Sequence, residues 1–213
     1  MNMRNLYPGE ILPSAYIIDY DRLYSEGIRG VCYDVDNTLV PHGAPPDNRT
    51  RALFRHLHEI GMQAVFVSNN TEPRVKKFAE EVDEKYVYLA AKPSPKGYYK
   101  AMEMMGTERK NTIAVGDQIF TDIWGANRAG LRSILVKPIH PKEEIQIVIK
   151  RKLEKPVIRK WYRLRAEEEE KAKKAGQILP TAALPKNPDG IFPEPYGKYD
   201  GRAGSMRNMQ KEN

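Results

Sequence analysis

Apolar positions fall in five short runs separated by longer amphipathic segments. The runs at 30–34, 64–67, 86–90, 112–115 and 133–136 are four or five residues long, as expected of strands buried on both faces. Between them, 47–60 places Leu53, Phe54, Leu57 and Ile60 at i, i+1, i+4 and i+7, which predicts a helix. Residues 71–82 read as a second helix with Pro73 near its first turn, where a missing N–H is tolerated. Residues 95–105 read as a third, whose methionines are core filler rather than metal ligands. Residues 120–129 read as a fourth, stopped by Gly130. Alternating strands and helices predict an α/β domain built on a parallel, doubly wound sheet. Such sheets bind ligands beyond the carboxyl ends of their strands. Four of the five expected ends carry polar groups: Asp34, Ser68, Lys92 and Asp117.

The pattern changes after Pro138. Residues 141–175 form a basic amphipathic extension interrupted by Pro156, which is expected to end or kink a helix. Residues 176–213 are rich in Pro and Gly and poor in aliphatic side chains, and are expected to be disordered or at most extended along a surface. This leaves residues 1–140 as the globular domain. The mean hydropathy of −0.65 fits a solvated tail better than a weak core. Single Cys32 excludes an internal disulfide and reads as a small core residue. No apolar run is long enough to span a bilayer, and the N-terminus lacks the pattern of a secretory signal, so a cytoplasmic protein is expected.

The net charge of +7 is local. Residues 150–165 hold eight basic side chains against one acid, Glu154, so this window carries the whole excess. That implies an anionic partner near one element rather than a uniformly basic protein.

The strand ends carry the candidate chemistry. Asp34 and Asp36 can face one site if the strand ends at Asp34 and the chain turns. Carboxylates so placed repel each other and need a cation or a shared proton, and Mg2+ suits them as a hard ion with carboxylate, carbonyl and water ligands. Ser68, Asn69 and Asn70 follow the next strand, where a hydroxyl and adjacent N–H groups can hold a phosphoryl oxygen. Lys92, fixed by Pro93 and Pro95, can neutralise a transferring phosphate or a carboxylate; Lys96 is a second choice for that role. Gly116 and Asp117 supply a close turn and another metal ligand, and Asp122, about one helical turn on, can orient it. Each group alone has a plainer role, as loop acid, helix cap or loop lysine. Four together at successive strand ends favour chemistry.

These residues resemble the haloacid dehalogenase-like (HAD) phosphatase superfamily. The segments DVDNT at 34–38, SNN at 68–70, KP at 92–93 and GDQIFTD at 116–122 match its four motifs, and the resemblance covers residues 25 to 140. It is nearest the subclass IIIA, YqeG-like group that includes phosphatidylglycerophosphate phosphatases, with GDQIFTDIWGAN and ILVKPI the more specific phrases. The resemblance implies a Rossmann-like sheet of order 5-4-1-2-3. It implies Asp34 as the nucleophile forming an aspartyl-phosphate and Asp36 as acid and base. Ser68, Asn69 and Lys92 would bind phosphate. Mg2+ would be held by Asp34, the Asp36 carbonyl and Asp117, with Asp122 supporting. The short path from Asp36 to Ser68 leaves no room for a cap domain, so the site is expected to be open to a large or surface-bound substrate, unless an oligomer partner closes it.

The function expected is a Mg2+-dependent phosphomonoester hydrolase, with phosphatidylglycerophosphate the best specific substrate. The alternatives are a phosphoprotein, nucleotide or sugar phosphate, or a membrane- or ribosome-docking protein with vestigial activity. Ile145, Val148, Ile149 and Leu153 share one helical face, as do Val157, Trp161 and Leu164. The basic residues among them, Lys150 to Arg165, allow peripheral binding to anionic lipid or simple packing of the apolar stripe on the sheet. Nucleic acid is disfavoured, because aromatic residues are not interleaved along a β surface. His42, in the loop after Asp36, could touch substrate; His56, His58 and His140 read as surface residues.

Overall fold

The computed structural model describes residues 3–140, 145–187, 192–193 and 195–197. The five expected strands are β2 (Gly30–Tyr33), β3 (Gln63–Val67), β4 (Lys85–Val87), β5 (Thr112–Gly116) and β6 (Arg132–Val136). A further strand, β1 (Glu10–Leu12), joins the edge beside β6, and the sheet order is β1-β6-β5-β2-β3-β4 with every pairing parallel. Without β1 this is the expected 5-4-1-2-3 order. β1 was not foreseen because three residues between Pro8 and Pro13 show no measurable period.

The helices are α1 (Tyr20–Ser25), α2 (Asn48–Glu59), α3 (Glu72–Glu80), α4 (Lys96–Met105), α5 (Trp124–Ala129) and α6 (Ile145–Lys174). Alternation along the strands divides the core. Val31, Tyr33, Ala64, Phe66, Ile113 and Val115 join the cluster that includes α1, α2 and α3 residues, while Cys32, Val65, Val67 and Ala114 join the cluster that includes α4 and α5 residues. Both faces of the central strands are therefore covered, as a parallel sheet requires. On the first face Tyr33, Phe54, Phe66 and Phe78 form an edge-to-face chain with centroids 5.5, 5.1 and 5.2 Å apart. Met102 and Met105 are buried in the second cluster, and burial pushes the Cys32 thiol up to about 12. Gly130 ends α5 in the left-handed region at φ +80°, where glycine carries no Cβ penalty.

The stretch between β2 and α2 holds no inserted domain, and the sheet is capless. Of the two outcomes expected at Pro156 in α6, an end or a kink, the helix does not end there; it is held by Val157 and Ile158 in a third cluster with Leu6, Ile119, Ile123 and Leu135, and by Trp161, whose Nε1 donates to the Pro8 carbonyl at 2.6 Å. The inward face of α6 is rotated from expectation: Leu153 is 58% exposed, whereas Glu154 is 2% exposed. The side chains of Ile145, Val148 and Ile149 lie outside the described residues.

The tail was expected to be disordered, or at most extended along a surface. Residues 181–184 run along the core, because buried Glu10 accepts from the Ala182 N–H at 2.6 Å and the Thr181 hydroxyl at 2.9 Å, and Ile18 bridges Ala183 in antiparallel fashion. Most of 188–213 lies outside the described residues. No helix among the described residues is long and apolar enough to cross a membrane.

Phe66 is fully buried at the centre of the aromatic chain. Phe66→Ala should lower unfolding free energy by about 3–5 kcal/mol, measured by urea denaturation.

Candidate active site

The ends of β2 and β5 and the loops after β3 and β4 meet at one place. Asp34 follows β2 and still pairs with β5 through its N–H to the Val115 carbonyl at 2.9 Å. The chain then turns: Asn37 is left-handed at φ +64°, a conformation Asn tolerates better than most residues, and its N–H reaches the Val40 carbonyl at 2.7 Å. Thr38 is thereby placed with its Oγ1 3.3 Å from Asp34 Oδ2 and 3.3 Å from Asp117 Oδ1.

Lys92 is the centre of the site. Its Nζ lies 2.7 Å from Asp34 Oδ1 and 2.7 Å from Asp122 Oδ1, with 3% of its side chain exposed. Lys96, by contrast, is exposed at the start of α4. The loop that delivers Lys92 is strained, with Leu89 and Ala91 at φ +43° and +53°, a cost that surrounding contacts must offset. It is pinned by Leu89 N–H to the Asn70 carbonyl (3.0 Å) and Ala90 N–H to the Ser68 carbonyl (2.9 Å). The Asn69 side chain completes the clamp, accepting from the Lys92 N–H at 2.7 Å and donating to the Lys92 carbonyl at 3.1 Å.

After β5 the chain makes a single π-helical turn, Ile119–Ile123, which leads into α5. Asp122 Oδ2 accepts from the Gln118 N–H at 3.0 Å, so this carboxylate ties its own turn while its other oxygen holds Lys92. Gly116 has to lack a side chain, since a Cβ there would collide with Asp122. Neither Ser68 nor Asp117 is the N-cap of the following helix: Thr71 and Gln118 occupy those positions. The Ser68 hydroxyl, 2% exposed as a residue, instead accepts from the Asn70 N–H at 3.1 Å.

Asp34, Asp117 and Asp122 each offer a carboxylate oxygen within 4.8 Å of the others. Three hard oxygen donors at one end of a sheet fit Mg2+. The Asp36 side chain is not in this cluster. It turns toward α3 and accepts from Asn70 Nδ2 (2.6 Å), the Gly43 N–H (2.7 Å) and Arg74 (2.9 Å). From the sequence, Asn70 reads with Ser68 and Asn69 as part of a turn that can hold a phosphoryl oxygen, not as a partner of Asp36; Arg74 gives no signal in the sequence. His42 lies 3.9 Å from Asp36 and is half exposed; His56 and His58 pair with Asp21 and Glu84.

Burial pushes the Asp34 carboxyl from 3.8 up to about 7; the Lys92 ammonium pulls against that shift, and the Asp122 and Asp36 charges add to it. Burial works against the Lys92 charge, but Asp122 and Asp34 together hold its pKa well above the ordinary lysine value.

A family model for haloacid dehalogenase-like hydrolases matches residues 39–130. The chain belongs to that family and is a phosphatase. It is 32% identical to Probable phosphatase YqeG of Bacillus subtilis over 71% of this chain and 88% of that one. It is 29% identical to phosphatidylglycerophosphate phosphatase 1 of Arabidopsis thaliana over 68% of this chain and 45% of that one, so it spans less than half of that relative. Among solved structures, the cobalt-bound deoxy-D-mannose-octulosonate 8-phosphate phosphatase of Haemophilus influenzae superposes with a TM-score of 0.40 at 15% identity, covering 53% of this chain and 80% of that one.

A carboxyl raised by folding contributes stability below its unfolded pKa and loses it as pH rises through the folded value. In metal-free protein, Asp34 therefore destabilises the fold as pH rises from about 4 through about 7. Asp34→Asn should raise the metal-free Tm at pH 8, by roughly 2–4 °C for each kcal/mol relieved, with the gain shrinking at pH 5. Thermal denaturation in EDTA across that range checks both the sign and the trend.

Proposed function

We propose that the chain is a Mg2+-dependent phosphomonoester hydrolase working through an aspartyl-phosphate on Asp34. The observation that carries this reading is the grouping of Asp34, Asp117 and Asp122 around Lys92 at the carboxyl edge of the sheet. Asp34, Asp117 and the Asp36 carbonyl would hold the ion, which supplies positive charge to the phosphoryl oxygens. A carboxylate oxygen of Asp34 attacks phosphorus as the bond to the ester oxygen breaks, and Asp36 gives that oxygen its proton. Asp36 then takes a proton from water, whose oxygen attacks phosphorus and releases phosphate from Asp34. Ser68 and Lys92 hold phosphoryl oxygens, and Asn69 keeps the Lys92 backbone in place. For its part Asp36 must exchange Asn70 and Arg74 for the leaving group, a side-chain rotation toward Asp34.

The substrate class we propose is a lipid phosphomonoester, phosphatidylglycerophosphate being the best candidate. Two of the relatives carry that substrate in their names, and the capless site has no domain to exclude a surface. Exposed Tyr88 and Leu89 sit in the loop that leads to Lys92. The outward face of α6 adds Lys152, Lys155, Arg159, Lys160 and Arg163, all exposed, beside exposed Tyr162. An amphipathic aromatic among cations suits the headgroup region of an anionic membrane.

Asp34→Asn and Asp36→Asn should each lower phosphate release by at least ~10³-fold while circular dichroism shows a folded protein; near wild-type hydrolysis of an aryl phosphate by Asp34→Asn would falsify the assignment. Phosphatidylglycerophosphate should be the best substrate in a release screen that includes phosphoprotein, nucleotide and sugar phosphates. Neutralising Lys152, Lys155 and Arg159 together should weaken pelleting with anionic liposomes by roughly 1 kcal/mol per charge. Unchanged pelleting would remove the α6 part of the proposal.

A further inference from the structure

Glu154 is the one acid in the basic window of 150–165, and it is the charged residue of α6 that the fold buries, at 2% exposure, among the described residues. Burying a carboxylate is costly without compensating hydrogen bonds. Its Oε1 accepts from the Ile119 N–H at 2.7 Å. Ile119 opens the π-helical turn that follows Asp117 and contains Asp122, and Gln118 at its N-cap makes no side-chain capping bond. Helix N-termini leave their first N–H groups unpaired and favour negative charge. Here two of those groups are met by carboxylates: Gln118 N–H by Asp122 from within the turn, and Ile119 N–H by Glu154 from α6. Val157, on the same face of α6 as Glu154, packs with Ile119 and Ile123, so the contact is both polar and apolar.

We infer that Glu154 is a positioning residue for the metal site, capping from α6 the turn that sets Asp117 and Asp122 beside Asp34. The inference rests on the proposed metal role of those aspartates. Its consequence is that α6 carries two functions on opposite faces: cations outward, and inward a carboxylate that fixes the loop on which the acidic cluster depends. Loosening the cap lets Asp117 and Asp122 spread, which weakens the ion more than it weakens chemistry once the ion is bound.

The test uses the full chain and MgCl2 alone. Glu154→Met keeps the length and apolar bulk of the side chain and removes the acceptor; Glu154→Gln retains an oxygen that can take the same N–H. The Mg2+ concentration giving half-maximal thermal stabilisation should rise ~10-fold or more in Glu154→Met, the scale seen when a group supporting a metal ligand is lost, and return to near wild type in Glu154→Gln. With an aryl phosphate, half-saturating Mg2+ should rise in parallel, with a smaller fall in kcat. Should Glu154→Met not fold, Glu154→Asp, which withdraws the carboxylate by one methylene, carries the same prediction. A folded variant without the acceptor that matches wild type in Mg2+ dependence overturns the inference alone. A wild-type protein that Mg2+ does not stabilise overturns the metal reading, and this inference with it.

Discussion

One ammonium joins the site together. Lys92 contacts Asp34 after β2 and Asp122 after β5 at the same 2.7 Å, so the side chains that follow two adjacent strands are held by a third element that enters from the loop after β4. A buried carboxylate pair would otherwise repel itself, and a buried lysine without partners would lose its proton. Together they satisfy one another, and removing Lys92 would leave Asp34 and Asp122 facing each other without a counter-charge in a poorly solvated place. The strained backbone at Leu89 and Ala91 and the two-way clamp from Asn69 follow from this demand, since both deliver Lys92 to its position.

Much of this was legible in the sequence because it is periodic. Central strands buried on both faces read as continuous apolar runs, and the polar residue that breaks each run marks the strand end where a parallel sheet binds ligands. Asp34, Ser68, Lys92 and Asp117 were found that way. What was not legible depends on partners distant in sequence. β1 is three residues long and owes its place to pairing with β6. The side chain of Asp36 was expected to face Asp34, but Arg74 and Asn70 draw it toward α3. On α6 the apolar stripe pointed to Leu153, yet Leu153 faces water and Glu154 faces the core. The Ile119 N–H that Glu154 meets belongs to a turn 35 residues earlier, which no local pattern could reveal.

An open sheet edge is suited to a reaction in which phosphate is the common part and the rest of the substrate lies outside. The fold holds Asp34, Lys92 and the acidic cluster on strand ends and their immediate turns, and places the Asp36 side chain apart from them against Asn70, Gly43 and Arg74. α6, continuous through Pro156, then brackets this arrangement from the third apolar cluster and presents its cations to the outside.

The most direct test is whether Asp34 itself takes the phosphoryl group. Acid quench during steady-state turnover, borohydride reduction and peptide mass spectrometry would read this directly, because reduction converts an aspartyl-phosphate to homoserine. Homoserine is expected at position 34, with unmodified aspartate at 36, 117 and 122. Phosphate release with Asp34 unmodified, or with the label on another aspartate, would contradict an aspartyl-phosphate on Asp34.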